Sequence, residues 1–299
     1  MVDYGHPLTF GISIDPTAAD VIQSLALAQQ ADRAGLAYLA VQDHPYQPTH
    51  LDALSLMSTL LNRTENISVV SDVLDLQLRP PTILAKAAAS LSAMAGGRVH
   101  LGVGAGASAQ GVAAMGGVPR RGSEMVEYTE ESIQILKRAL HGGVVQVDTQ
   151  QHQIAGYQAG PIPPQPVQVW VGSQKPRMLA VTGRSGDGWI SPLNIYMAPD
   201  EVPARQELID AAARSAGREP RDIRRIYNVI GAIGPFHGGS GLVGPVGLWV
   251  ETLTDWAVEL GFDTFLFWPA TEPSSQLAVF SSEVVPAVRS RVAERRAQA

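Results

Sequence analysis

The residues able to do chemistry sit in a few short loops. Asp43-His44 couples a carboxylate to an imidazole. With an ordinary pKa of ~6.5, the imidazole can carry a proton near neutral pH. Asp72 and Asp75 share one loop, a weak basis for glycoside hydrolysis, which needs two carboxylic acids facing one sugar bond. Asp43, His44 and His237 are the obvious metal-ligand types, but no HExxH or HxH pair supports a zinc hydrolase. A GxSxG nucleophile elbow and a full P-loop consensus are absent. The absence of cysteine excludes disulfides, thiolate zinc sites, iron–sulfur clusters and cysteine nucleophiles.

Gly102-Val103-Gly104-Ala105-Gly106 carries GxGxG but lacks the third glycine of a dinucleotide fingerprint at its spacing. The physical content of such a loop survives. Small residues let backbone N–H groups approach an anion closely, and Gly172-Ser173 ahead of a helix offers the same. The plainer alternative is that these glycines relieve crowding. Lys175 and Arg177 could neutralise a phosphate or sit solvated on a first helical turn. Tyr46, Trp268 and His237 could wall a ligand, or belong to rim packing and solvent. His100, His141 and His152 read as structural.

The elements that must position these residues alternate strand and helix along the chain. Strands are expected at 8–14, 38–41, 67–70, 99–103, 167–171, 188–190, 225–230 and 263–267, each followed by a helix. Asp15-Pro16 reads as N-cap and first residue of the first helix, with Val21, Ile22, Leu25 and Ala28 on its apolar face. Near-continuous apolar strands suit a parallel sheet covered on both faces. Eight such pairs make a (β/α)8 TIM barrel, with a hairpin insertion at 144–154 between strands four and five. No linker or repeat marks a split, so the expectation is one barrel domain over residues 1–299. The glycine-rich stretch 234–241 falls after strand seven and reads as an active-site loop. In a barrel the site lies at the carboxyl ends of the strands, where all the candidate loops fall.

Composition agrees with an α/β enzyme. Hydrophobic residues at 45% against 17% charged are ample for a buried core. A net charge of −6 argues against a nucleic-acid partner. No run reaches the roughly 18 apolar residues needed to cross a bilayer, and the start has no signal-peptide pattern. A cytoplasmic protein is expected.

The chain resembles the luciferase-like monooxygenase superfamily. The most specific stretch runs from Val73-Leu74-Asp75-Leu76-Gln77-Leu78-Arg79-Pro80-Pro81 through Gly96-Gly97-Arg98-Val99 to Gly102-Val103-Gly104-Ala105-Gly106. Supporting matches are Ala31-Asp32-Arg33-Ala34-Gly35, Asp43-His44, Trp170-Val171-Gly172, Gly186-Asp187-Gly188-Trp189 and Gly261-Phe262-Asp263. The resemblance implies a barrel with a flavin or deazaflavin ring in its mouth. It is greatest to the branch that uses coenzyme F420. That branch implies catalytic roles for His44 and Asp43 and a non-prolyl cis peptide at Asp72-Val73 or one residue earlier, backing the ring. The cofactor phosphate would lie at Gly104-Ala105-Gly106 and Gly172-Ser173.

There is one departure. Relatives that oxidise sugar phosphates carry a glutamate after the strand-four glycines, where this chain has Ala107. A sugar-phosphate dehydrogenase is therefore not expected. In the branch that uses FMN an arginine often meets the phosphate, and Arg177 could do that. The resemblance thus implies F420-dependent hydride transfer with a small organic substrate, touched by Tyr46, His237 and Trp268. The alternatives are an FMN-dependent monooxygenase and a non-catalytic flavin-binding barrel. A homodimer is expected, with no metal.

Overall fold

In the computed structural model, which describes residues 2–235 and 238–298, eight parallel strands close on themselves. They are β1 (Thr9–Ile14), β2 (Tyr38–Val41), β3 (Ser68–Ser71), β4 (Val99–Gly104), β5 (Val169–Gly172), β6 (Gly188–Leu193), β7 (Arg224–Ile233) and β8 (Thr264–Pro269). Each pairs with the next, and Thr9 opposite Thr264 closes the ring between β1 and β8. This is the expected (β/α)8 barrel. The hairpin lies where expected, as Gly143–Asp148 paired antiparallel with Gln153–Ala159.

The outer layer is α1 (Val21–Arg33), α2 (Ala53–Arg63), α3 (Pro81–Met94), α4 (Gly122–Leu140), α5 (Pro176–Ser185), α6 (Val202–Ser215) and α7 (Val246–Glu259). A final run passes from Pro273–Val279 through a π-helical turn, Phe280–Val284, into Val285–Ala297. The main core fills the space between strands and helices. A second, smaller core of Ala40, Val70, Trp170, Ile190, Ile226 and Leu266 plugs the barrel itself. Above it begins a polar layer.

Two expectations about the first helix fail. Asp15 does not cap it: the Asp15 carboxylate takes the Thr17 N–H, a 3-10 turn at Ala18–Asp20 follows, and α1 starts at Val21. Its buried face is Ser24, Leu27, Ala28 and Ala31, while Ile22 is 75% exposed. The segment after Gly106 also holds a short helix, Ala109–Ala114, whose N-cap Ser108 accepts from the Gly111 N–H.

Two local irregularities shape the mouth of the barrel. After β3 the Asp72-Val73 peptide is cis, and the chain rejoins the sheet at Leu74–Asp75, beside the end of β4. Between β6 and β7 the register shifts: Ile226 faces Ile190, but Asn228 faces Leu193. An extra residue on one strand re-aims the side chains around it, here next to the cavity described below.

Candidate active site

The loops at the carboxyl ends of β2 to β6, with Asn228 of β7, enclose a cavity of about 310 Å3. Asp43, His44, Tyr46, Asp72, Val73, Gly104, Ala105, Gly106, Gly172 and Ser173 all line it. The two glycine loops converge on Val73, the residue after the cis bond. A Cβ at Gly104 or at Gly172 would stand 2.9 Å from Val73 Cγ2. Relief of crowding is therefore part of why these two are glycine. Gly106 differs: its φ of +94° is a conformation that side chains disfavour, and it turns the loop back over Asp75.

The turn frees donors. The backbone N–H groups of Gly106, Ala107 and Gln174 have no hydrogen-bond partner among the described residues. All three residues line the cavity, so unpaired amides from two loops are available to an anion. Ser173 is held by its hydroxyl contact with Thr182, at 2.8 Å, and by its N–H to Ile190. Arg177 is not brought to this cavity, and with Lys175 it lies exposed at the start of α5. His237 lies outside the described residues.

In the loop after β2, Asp43 is buried and its two oxygens accept from the Arg79 guanidinium at 2.8 and 2.9 Å. The Asp75 N–H adds a third contact at 3.2 Å. Burial pushes the Asp43 carboxyl up, and Arg79 draws it back down. With its oxygens so engaged, Asp43 anchors the loop that carries His44.

The His44 Nδ1 lies 3.0 Å from the Tyr46 hydroxyl and Nε2 lies 3.1 Å from Gln42 Nε2. An amide nitrogen only donates, so with Gln42 in this orientation Nε2 accepts and Nδ1 carries the proton. Burial, reinforced by His50, lowers the imidazole below its usual pKa, leaving it neutral at pH 7. Tyr46 in turn packs over Gly111, where a Cβ would meet the ring at 2.5 Å.

The floor of the cavity is Asp72. Its carboxyl accepts one hydrogen bond, from Asn228 Nδ2 at 3.3 Å, and burial lifts its pKa to about 7. Asn228 also donates to the Ser191 carbonyl and accepts from Trp268 Nε1 at 2.9 Å. Trp268 itself lines a second cavity, of about 730 Å3, beside the first. Gln42, which touches His44, lines this second space too, so the two cavities share a wall.

Sequence reasoning missed three of these residues. Asn228 is a lone amide in the apolar run Ile226–Ile230, and polarity on an inward strand was the available signal. Arg79 stands in the sequence only as the end of the stretch Val73–Arg79, and Gln42 precedes Asp43 with nothing to mark it. Nothing local shows that Arg79 reaches back to Asp43, 36 residues away. Among the described residues, no group of three or more His, Asp or Glu side chains could hold a metal ion. No described helix is long and apolar enough to cross a membrane.

Comparison with known proteins places this geometry. The chain is 29% identical over 221 residues to a 5,10-methylenetetrahydromethanopterin reductase of Methanolobus tindarius, covering 72% of this chain and 63% of that one. The chain thus spans less than two thirds of the reductase's length. It is 27% identical over 236 residues to an F420-dependent glucose-6-phosphate dehydrogenase of Gordonia bronchialis, covering 75% and 67%. Its fold superposes on an F420-dependent secondary alcohol dehydrogenase, solved with an F420-acetone adduct, with a TM-score of 0.84 at 18% identity over 95% of this chain and 99% of that one. The sequence model of luciferase-like monooxygenases matches residues 3–235, and the chain belongs to that family.

Proposed function

We propose that this protein is an oxidoreductase that uses coenzyme F420 to move a hydride to or from a small organic substrate. The observation that carries the reading is the cavity itself, lined together by the unpaired amides of Gly106, Ala107 and Gln174, by His44 and by Val73. The residues present fit a ring with an anionic tail. The glycine loops would hold the phosphate, and Val73 would back the ring. The bound deazaflavin supplies the hydride chemistry, and the protein supplies position and electrostatics. His44, neutral and tied to Tyr46 and Gln42, would exchange a proton with the substrate across the wall that Gln42 shares with the larger cavity, while Asp43, gripped by Arg79, holds its loop in place.

The substrate would occupy the larger cavity, against Trp268. Tyr46 lines the cofactor side and would reach the substrate only across the shared wall. Asp15, Asp20 and Glu272 line the larger space, with no Lys or Arg among its described lining residues. Three carboxylates disfavour a phosphorylated sugar, as Ala107 already suggests, and favour a neutral or cationic substrate. FMN offers the same ring and phosphate, so the cradle alone does not separate the two cofactors. The arginine that would have favoured FMN, Arg177, is exposed.

Titration with F420 and with FMN, followed by oxygen uptake in the presence of a substrate panel, tests the reading. Tighter F420 binding and turnover without oxygen consumption are expected. Preferential FMN binding with substrate-linked oxygen uptake would establish the monooxygenase alternative, and binding without turnover of any substrate the non-catalytic one. A homodimer is part of the same reading, supported by exposed Ile22 on α1 and Ile83 and Met94 on α3. Light scattering that returns a monomer overturns it.

A further inference from the structure

Asp72 differs from the other carboxyls of the cavity. Asp43 faces the Arg79 guanidinium. Asp75 takes the Gln77 N–H and also feels Arg79. Asp72 is 8% exposed, has no ion pair among the described residues, and accepts a single long contact from Asn228. Its Oδ2, like that of Asp75, is buried with no partner among the described residues; what sets Asp72 apart is that no cation offsets its burial. The contact it does have cannot be reversed cheaply. An indole only donates, so Trp268 holds the Asn228 oxygen on its own side, and the amide nitrogen must face Asp72 and the Ser191 carbonyl.

A buried carboxylate with one weak neutral donor is badly solvated, and protonation is the inexpensive escape. A protonated acid, however, brings an O–H that also needs an acceptor. The amide nitrogen of Asn228 is not one. Asp72 lines a cavity, and a molecule filling it can supply the missing acceptor.

We propose that Asp72 stands in this cavity as a neutral carboxylic acid whose O–H donates to a carbonyl oxygen of the flat ring bound there. The ligand chemistry required is a cyclic amide or imide edge next to an anionic tail, which flavins and deazaflavins share. The inference rests on the cofactor reading only in taking the ring to be of that kind. The other titratable groups facing this space are Asp43, His44 and Tyr46 from the loop after β2 and Asp75 from the loop after β3. From β6 and β7, no titratable side chain is among the described residues that line this space. Burial, partly offset by the Asn228 contact, places the titration of Asp72 at about 7.

Carbon-13 NMR of protein labelled at aspartate, with the Asp72 signal assigned through Asp72→Asn, tests the acid in the ligand-free protein. A midpoint near 7 is expected, and a midpoint in the ordinary carboxylate range overturns the proposal. Equilibrium binding of F420 and of FMN from about pH 5 to about pH 9 then tests the donor, because a ligand that needs the proton loses up to about tenfold in affinity per pH unit above the midpoint. That loss is expected in the wild type and absent in Asp72→Asn, whose amide can still donate. Affinity independent of pH in the wild type, or the same loss in Asp72→Asn, overturns the proposal. FMN binding with this pH dependence alongside no F420 binding would sustain Asp72 as donor and refute the deazaflavin reading.

Discussion

The guanidinium of Arg79 grips both oxygens of Asp43, with the carboxylate side chain only 1% exposed. The same guanidinium reaches Asp52, the N-cap of α2, at 3.1 Å. One side chain thus ties the segment after β3 to both ends of the loop that carries His44. Removing it as Arg79→Met would strand a buried carboxylate. The expected cost is about 3–5 kcal/mol, less if Asp43 takes up a proton. Urea unfolding measures it, and Arg79→Met with Asp43→Asn should recover part of the loss. A single variant within about 0.5 kcal/mol of wild type would show that the pair anchors nothing.

Gly104 and Gly172 approach Val73 from two sides, so a methyl group at either should force Val73 to move. Gly104→Ala is expected to destabilise by about 1–3 kcal/mol and to weaken cofactor binding as the cradle opens. Val73→Ala in the same chain should relieve most of the folding cost. Thermal melts of the two singles and the double give the coupling. Simple additivity would mean that the alanine methyl is accommodated elsewhere.

How much of this was legible in the sequence depends on the range of the interaction. The barrel was legible because eight apolar runs at regular spacing admit few other arrangements. The three glycines of 102–106 were legible as a set, yet they serve different ends. A Cβ at Gly102 would fall 2.0 Å from the Ser71 carbonyl oxygen, Gly104 clears Val73, and Gly106 alone adopts the left-handed turn. A spacing motif cannot separate those reasons. Placement of Asp72-Val73 as cis came from resemblance, not periodicity. The Asp72–Asn228–Trp268 chain was illegible, because contacts across 156 and 40 residues are set by closure of the barrel. Ile22 faces outward although it is apolar, because α1 buries the face of Ser24, Leu27, Ala28 and Ala31, which hydrophobicity alone does not single out.

His44 should be the side chain whose loss most affects turnover. His44→Ala is expected to lower kcat/KM by about 10²- to 10⁴-fold if it exchanges a proton with substrate, with cofactor affinity changed far less. Tyr46→Phe removes only the partner of Nδ1 and should cost much less. Steady-state kinetics with the identified substrate decides it, and an unaltered rate in His44→Ala removes the imidazole from the mechanism.

Asp72 should also leave a mark on stability. Its folded pKa of about 7 lies above the ordinary value of 3.8 for an exposed carboxyl. Between those two values the folded chain holds a proton that the unfolded chain has released. Stability contributed by the neutral acid is therefore complete below the lower value and is lost as pH rises toward 7. Asp72→Asn should flatten that part of the profile. Urea midpoints at a series of pH values test it, and an identical slope in the variant would mean that the acid is ionised in the fold.

Trp268→Phe separates the role of the ring from that of its N–H. The phenyl group keeps most of the wall of the larger cavity but offers nothing to Asn228 Oδ1. Left without its donor, the amide is free to turn, at the cost of its contact with the Ser191 carbonyl. Turned, it presents oxygen instead of nitrogen to Asp72. In the wild type the nitrogen donates to the carboxyl and favours its ionised form. An oxygen would accept the acid's O–H and favour the neutral form. The Asp72 midpoint should therefore rise in Trp268→Phe, with a stability loss of about 1–3 kcal/mol for the two hydrogen bonds given up. An unchanged midpoint in the same carbon-13 titration would mean that the Ser191 carbonyl alone fixes the amide and that the indole does not control the charge of the acid below it.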